Sequence, residues 1–153
     1  MPDSFSRLQE LSHQLNESSD LLGKSVEELE AQFAQVRLGI EVWTDAPVAT
    51  KQTVDEKNGI VYTEDYYFGY AKKPDGKWGL CIQKILSGPD IETRQPFSQA
   101  PRSLRLKALE QLPSLIKQFE KEALAVLNAV QKARKIVTSE LKKEAKATVP
   151  HEL

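Results

Sequence analysis

The sequence predicts an α+β fold in which two pairs of helices flank a four-stranded antiparallel β-meander. Residues 1–38 and 102–146 carry apolar side chains at helical spacing, which indicates amphipathic helices. Residues 39–86 alternate apolar and polar side chains instead, which is typical of strands with one buried face. We expect the helices to lie on the apolar face of this sheet, because both kinds of element then bury their apolar sides. A length of 153 residues fits a single domain.

The first 38 residues predict a helical pair with a break in its middle. Four leucines mark the first helix at heptad-like spacing: Leu8, Leu11, Leu15 and Leu22. Gly23 suits the left-handed conformation that ends many helices. Ser25 and Glu28 then match a capping box, in which the two side chains satisfy the first amides of a new helix. Gly39 predicts the end of that second helix.

Two turns set the predicted register of the meander. The Lys-Pro-Asp-Gly sequence at residues 73–76 favours a three-residue hairpin loop. This loop pairs Lys73 with Lys77, Tyr70 with Leu80 and Phe68 with Ile82. A loop at residues 57–59 likewise pairs Val54 with Tyr62 and Val48 with Phe68. Both registers place even-numbered apolar residues on one face of the sheet, whereas a slip of one residue would scatter them over both faces.

The C-terminal part predicts a long loop and then a second helical pair. Residues 87–101 contain three prolines, and we expect a loop of unusual length there. Pro113 lacks the backbone N–H that a helix interior uses, so it predicts a break, with Ser114 capping the last helix. That helix would run through residue 146 and be about 50 Å long, against a diameter of about 40 Å for a compact chain of this size. Residues 147–153 are predicted to form a frayed tail.

The composition narrows the classes of protein that the chain can belong to. The formal net charge is −1, so the whole molecule has no general attraction for nucleic acid. The single cysteine excludes an internal disulfide, and we expect a cytoplasmic protein. No stretch approaches the ~18 consecutive apolar residues of a membrane span, so no membrane association is predicted.

No motif in the sequence carries chemistry at a specific spacing. Two histidines and one cysteine are too few for a zinc site, which usually takes three or four nitrogen or sulfur ligands. Cys81 lies in a predicted strand without a histidine nearby, which indicates a packing residue rather than a reactive thiol. Neither a nucleophile elbow nor a glycine-rich phosphate loop is present. We therefore predict no catalytic residue, cofactor or metal ligand, and a non-enzymatic role is favoured over an enzyme.

The odd-numbered face of the sheet is the first candidate surface. Small residues in the third and fourth strands lie between two large aromatic side chains, and this pattern outlines a shallow groove. The candidate partner or ligand residues are Trp43, Tyr67, Cys81 and Phe97. In a second interpretation, the loop at residues 87–101 covers this face through Ile91 and Phe97. A small-molecule pocket is a third interpretation.

Charge is divided between the two ends of the chain. Residues 1–36 contain seven acids and two bases, whereas residues 132–146 contain six bases and two acids. We expect the basic end of the last helix to meet the acidic N-terminal helices, within one chain or across a homodimer. The candidate assembly residues are Lys132, Lys135, Lys142 and Lys143. A nucleic-acid-binding face is less favoured, because no aromatic side chain lies among these lysines.

Together these patterns favour a non-enzymatic protein-interaction module that self-associates through its helices or binds another protein. An adaptor, a chaperone-like protein and a regulatory subunit all fit this description. Two alternatives stay open. One is a small-molecule-binding protein or enzyme that uses the aromatic sheet face and residues 87–101. The other is a nucleic-acid-associated protein that uses the basic end of the last helix.

Overall fold

The computed structural model describes residues 3–148 and has an α+β fold. A long helix precedes an antiparallel sheet, and two further helices follow, so the predicted fold class and the long last helix are confirmed. The predicted element order is wrong in two places, because one N-terminal helix replaces two and five strands replace four. In chain order the elements are α1 (Ser4–Val36), β1 (Val42–Trp43), β2 (Ala49–Val54), β3 (Val61–Lys72), β4 (Trp78–Leu86), β5 (Ile91–Pro96), a short 3₁₀ helix (Phe97–Gln99), α2 (Arg102–Glu110) and α3 (Leu112–Thr148).

The predicted break in the N-terminal helical pair is absent, because α1 is one continuous helix of 33 residues. Its apolar residues keep one phase on both sides of Gly23: Leu15, Leu22, Val26, Leu29 and Phe33. A glycine inside a helix costs only about 1 kcal/mol, and burial of even one large apolar side chain exceeds that. Ser25 is not a cap, since its hydroxyl donates to the carbonyl of Leu21 at 3.2 Å. The helix ends where Arg37 adopts a left-handed conformation (φ 50°), two residues before Gly39.

The fifth strand lies inside the segment that was predicted to be a long loop, residues 87–101. β3 is central, with β1 and β2 on one of its edges and β4 on the other, and β5 extends the sheet beyond β4. Gly88 and Asp90 have positive φ values of 101° and 53°, so the chain turns back tightly after β4. The open edge of β4 presents backbone N–H and C=O groups that need hydrogen-bond partners. Pairing with β5 satisfies these groups, and it overrides the local preference of the prolines for a loop.

The register of β3 with β4 is confirmed, whereas that of β2 with β3 is wrong by one residue. The confirmed pairs are Tyr70 with Leu80 and Phe68 with Ile82. The loop before β3 is one residue longer than predicted, because the amide of Asp55 donates to the carbonyl of Ile60 at 2.9 Å. Asn58 stabilises this loop by accepting from the amide of Ile60 at 2.9 Å. The pairs observed are therefore Val54 with Val61 and Ala49 with Tyr66.

The hydrophobic core lies between one face of the sheet and all three helices. Its fully buried side chains include Val42, Phe68, Leu80, Ile82 and Leu115. α1 contributes Phe33, whose ring centroid lies 5.3 Å from those of Tyr70 and Phe119. α1 also closes the edge of β4 where β5 has ended, because Glu30 Oε1 accepts from the amide of Leu80 at 3.2 Å. The even-numbered residues of β3 and β4 thus face the helices.

The junction between α2 and α3 differs from the prediction by two residues. α3 begins at Leu112, so Pro113 lies in its first turn, where a missing N–H costs nothing. Ser114 therefore does not cap the helix. α3 continues through Thr148 for 37 residues, about 55 Å, and extends past the sheet. The predicted frayed tail at residues 147–153 is helical as far as residue 148, and the rest of it lies outside the described residues.

Candidate functional site

The candidate surface on the odd-numbered face of the sheet is organised around Trp43. Trp43 pairs with Gly69, and Gly69 pairs with Cys81 on the next strand. The indole lies directly against Gly69, since a Cβ at that position would overlap the ring. Trp43 therefore fills part of the groove that the small residues of β3 and β4 create.

Arg94 of β5 holds the indole in place. Its Nη1 and Nη2 donate to the two carboxylate oxygens of Glu41 at 2.9 and 3.2 Å, and Nη1 also donates to the carbonyl of Lys72 at 2.9 Å. The guanidinium carbon lies 5.1 Å from the centroid of the Trp43 ring, which is within cation–π range. Arg94 is not among the predicted site residues, because the sequence predicts a loop where the structure has β5. Ile91–Pro96 contains four consecutive polar residues, so no alternating pattern in the sequence indicates that Arg94 lies on this face.

Cys81 is fully buried in the same row of the sheet. Its Sγ lies 3.5 Å from the carbonyl oxygen of Gly79 and 3.8 Å from that of Ala71. Burial raises the pKa of the thiol to about 11, although the nearby charges of Arg94 and Lys73 act to lower it. The thiol is therefore protonated at neutral pH, which does not suit a nucleophile.

The four predicted contact residues of the sheet surface do not lie together. Trp43, Tyr67 and Cys81 share the odd-numbered face, where Tyr67 is half-buried. Phe97 lies on the opposite face, with its ring 5.4 Å from that of Phe68 and only 3% of the residue exposed. Residues 87–101 do reach the odd-numbered face, but they do so through Arg94 rather than through Phe97.

The second candidate surface is the α3 overhang, which we define as residues 124–147. Every residue of this segment is exposed. An apolar stripe follows it at helical spacing: Val126, Val130, Ala133, Val137 and Leu141. Val130 and Leu141 are 58% and 62% exposed, so residues 3–148 do not cover them. A helix that is apolar along one side normally buries that side against another element.

The four candidate assembly lysines lie across the helix from this apolar stripe. Successive residues of an α-helix are rotated by about 100°, which places these side chains roughly 110–170° away from the centre of the stripe. They are Lys132, Lys135, Lys142 and Lys143, and all four are exposed. Lys143 also forms an ion pair with Glu140 of the same helix (Nζ to Oε1, 3.3 Å). The α3 overhang thus has an apolar side and a basic side, which mutations can separate.

The N-terminal part of α1 extends away from the core in a similar way. Residues 4–18 of α1 are all exposed, and they include apolar side chains that continue the half-buried stripe of the same helix: Leu8, Leu11 and Leu15. α1 and α3 approach each other at Phe33 and Phe119, next to the sheet. Farther out, the acids of α1 and the lysines of the α3 overhang both remain exposed within the chain.

Residues 3–148 contain neither a metal-binding cluster nor a membrane-spanning helix. In this range no three His, Cys, Asp or Glu side chains are grouped so that they could hold a metal ion. Across the same residues, no helix combines the length and the apolar character that crossing a membrane requires.

Comparisons with protein-family models, with curated proteins and with solved structures found no match to this chain. Its function is therefore inferred from the geometry and physical chemistry of its own residues.

Proposed function

We propose that the chain is a non-enzymatic protein-interaction module that forms a homodimer through the α3 overhang. The observation behind this proposal is a 24-residue helical segment whose apolar stripe is exposed throughout. Isolated helices are only marginally stable in water, because helices in proteins gain most of their stability by packing an apolar face. The α3 overhang therefore needs a partner surface that the described part of the chain does not supply.

A second copy of the same helix is the partner that fits best. Two α3 overhangs related by a two-fold axis place stripe against stripe, and most homodimers have this symmetry. Apolar residues at steps of four, three, four and four residues suit the knobs-into-holes packing of paired helices. The four lysines point away from such an interface, so pairing does not bring their like charges together.

The size of the exposed apolar surface agrees with a helix-mediated dimer. Five large apolar side chains lie on the stripe or beside it and are exposed: Val126, Leu127, Val130, Val137 and Leu141. At about half exposure they present on the order of 400 Å². With Ala133 and neighbouring aliphatic stems, the area is smaller than the ~800 Å² per partner of a standard interface, as a contact between two single helices would be.

The other candidate surface supports a binding role more than a catalytic one. Cys81 is buried with a raised pKa, and Trp43 and Arg94 occupy the groove beside it. A dimer held by α3 would leave both sheets free to contact further proteins, as an adaptor or a regulatory subunit does.

Sedimentation velocity at micromolar concentration tests the proposal with two matched double variants. Val130→Glu with Val137→Glu places charges in the apolar stripe, whereas Lys135→Glu with Lys142→Glu changes the opposite side of the same helix. Glutamate is a good helix former, so neither variant should unfold α3. We expect the valine variant to be a monomer and the lysine variant to remain a dimer.

Three results would contradict this proposal. A monomeric wild-type chain at micromolar concentration would rule out the dimer. Dissociation of the lysine variant alone would move the interface to the basic side of the helix. Dissociation of neither variant would place the interface away from the α3 overhang.

A further inference from the structure

An apolar groove lies between α1 and α2, away from the α3 overhang. This α1–α2 groove encloses about 390 Å³, within the ~300–1,000 Å³ range of small-molecule sites. Apolar side chains from both helices line it: Leu15, Leu22, Val26, Leu106 and Leu109. Several of these residues are exposed in the chain, so the groove offers an apolar surface that its own side chains do not fill.

Two arginines at the α1–α2 groove give it a positive end. The Nε of Arg105 is buried and lacks a hydrogen-bond partner within residues 3–148. Buried donors without an acceptor are rare in folded proteins, so this atom indicates a missing acceptor. Arg102 lines the same groove and begins α2, whose N-terminus has no side-chain cap. The positive end of the helix dipole therefore adds to the charge of both guanidinium groups.

The three cations of the α1–α2 groove outnumber its two acids. Lys73, Arg102 and Arg105 line the groove together with Glu27 and Glu30, which leaves a net charge of +1. Glu30 Oε1 also accepts from the amide of Leu80 at 3.2 Å, and Glu27 is exposed to solvent. The lining thus combines an elongated apolar surface with an excess of positive charge. A hydrated inorganic anion would pair only with the positive charge, whereas a neutral alkane would cover only the apolar surface.

We infer that the α1–α2 groove binds a small apolar carboxylate of the medium-chain fatty acid class. The alkyl chain lies along the leucines, and the carboxylate accepts from Nε and one Nη of Arg105. This edge of a guanidinium matches the two oxygens of a carboxylate. The inference goes beyond the proposed dimer and does not depend on it, because no residue of α3 lines the groove.

Isothermal titration of decanoate into the full chain tests this inference. Arg105→Gln removes the positive charge and the paired N–H donors of the guanidinium group. Lys107→Gln is the matched control, since Lys107 is an exposed residue of α2 outside the groove lining. We expect one decanoate per chain. Arg105→Gln should raise Kd by about tenfold or more, as loss of a charged hydrogen bond does. Lys107→Gln should change Kd by no more than about twofold.

A second probe and a second variant separate the charge from the apolar contacts. The alcohol 1-decanol has the same alkyl chain without the carboxylate, and it should bind about tenfold more weakly than decanoate. Leu106→Trp fills the groove while it keeps both arginines, so it should abolish binding of both probes even if Arg105→Gln unfolds the chain. Circular dichroism checks the fold of each variant.

Four outcomes would overturn the inference, and the first three concern the groove itself. Decanol could bind as tightly as decanoate, Arg105→Gln could match Lys107→Gln while folded, or Leu106→Trp could leave decanoate binding intact. The dimer-interface variant Val130→Glu with Val137→Glu should bind decanoate as the wild type does. Loss of binding in that variant would place the ligand at the dimer interface and count against the groove. If the wild-type chain is monomeric but still binds decanoate, the proposed dimer is wrong and the inferred ligand site is unaffected.

Discussion

Replacement of Gly69 by alanine should destabilise the fold by about 2–4 kcal/mol, because the added methyl group has no space against Trp43. Its Cβ would overlap the indole ring and crowd the carbonyl oxygen of Val42. Overpacking of this kind costs about 1–3 kcal/mol when neighbours can shift. Here a shift of the ring also disturbs the guanidinium of Arg94, which adds about 1 kcal/mol at a partly exposed site.

Equilibrium unfolding in urea, followed by far-UV circular dichroism, measures this change in the free energy of unfolding. Gly79→Ala is the matched control on the same face of the sheet. Its Cβ would come within 2.9 Å of the Cε of Lys73, which belongs to a flexible side chain that can move aside. We expect that variant to lie within about 0.5 kcal/mol of the wild type. Equal stability of the two variants at one protein concentration would refute the packing of Trp43 on Gly69.

Three other predictions concern α1, the buried thiol of Cys81 and the contacts of Arg94 with Glu41 and Trp43. Gly23→Ala should raise the helical circular dichroism signal and increase the free energy of unfolding by up to about 1 kcal/mol, because a Cβ at this position meets no atom within 4 Å. A loss of helicity would contradict this prediction. Burial raises the pKa of Cys81 from 9.0 to about 11, so its contribution to stability, on the order of 2 kcal/mol, is complete below pH 9 and lost as the pH rises through 11. The difference in unfolding free energy between wild type and Cys81→Ala should therefore shrink over that range, and a constant difference would contradict the raised pKa. Arg94→Met should lower the free energy of unfolding by about 1–2 kcal/mol, and added salt should weaken the wild type but not this variant; the same salt response in both would mean that the Glu41 ion pair contributes nothing.

Local patterns were reliable where one face of an element is buried. The alternation in β3 and β4, together with the Pro74-Asp75-Gly76 turn, gave the correct pairing of Tyr70 with Leu80. The turn before β3 is one residue longer than the sequence predicts, because its length depends on Asp55 and Asn58. Both side chains bond to nearby backbone, and several loop lengths are compatible with such residues. A small local ambiguity of this kind shifts every pair along the strand.

The candidate sites were less accessible to sequence reasoning, because they depend on distant parts of the chain. Arg94 reaches Glu41 and the Trp43 ring only because β5 joins the edge of β4. The α1–α2 groove brings Leu15 and Arg105 together although they are far apart in sequence. Helical spacing did reveal the stripe of the α3 overhang, since that stripe is a property of one element.

The sequence by itself determined the fold class, the apolar face of β3 and β4 and the excessive length of the last helix. Each depends on the periodicity of side chains along one segment, which residue type and spacing specify directly. Only the tertiary structure decided that α1 passes through Gly23, that residues 91–96 form a strand and that Phe97 lies in the core. In each case the energy of burying apolar surface or of pairing an exposed strand edge exceeds the local preference of a glycine or a proline.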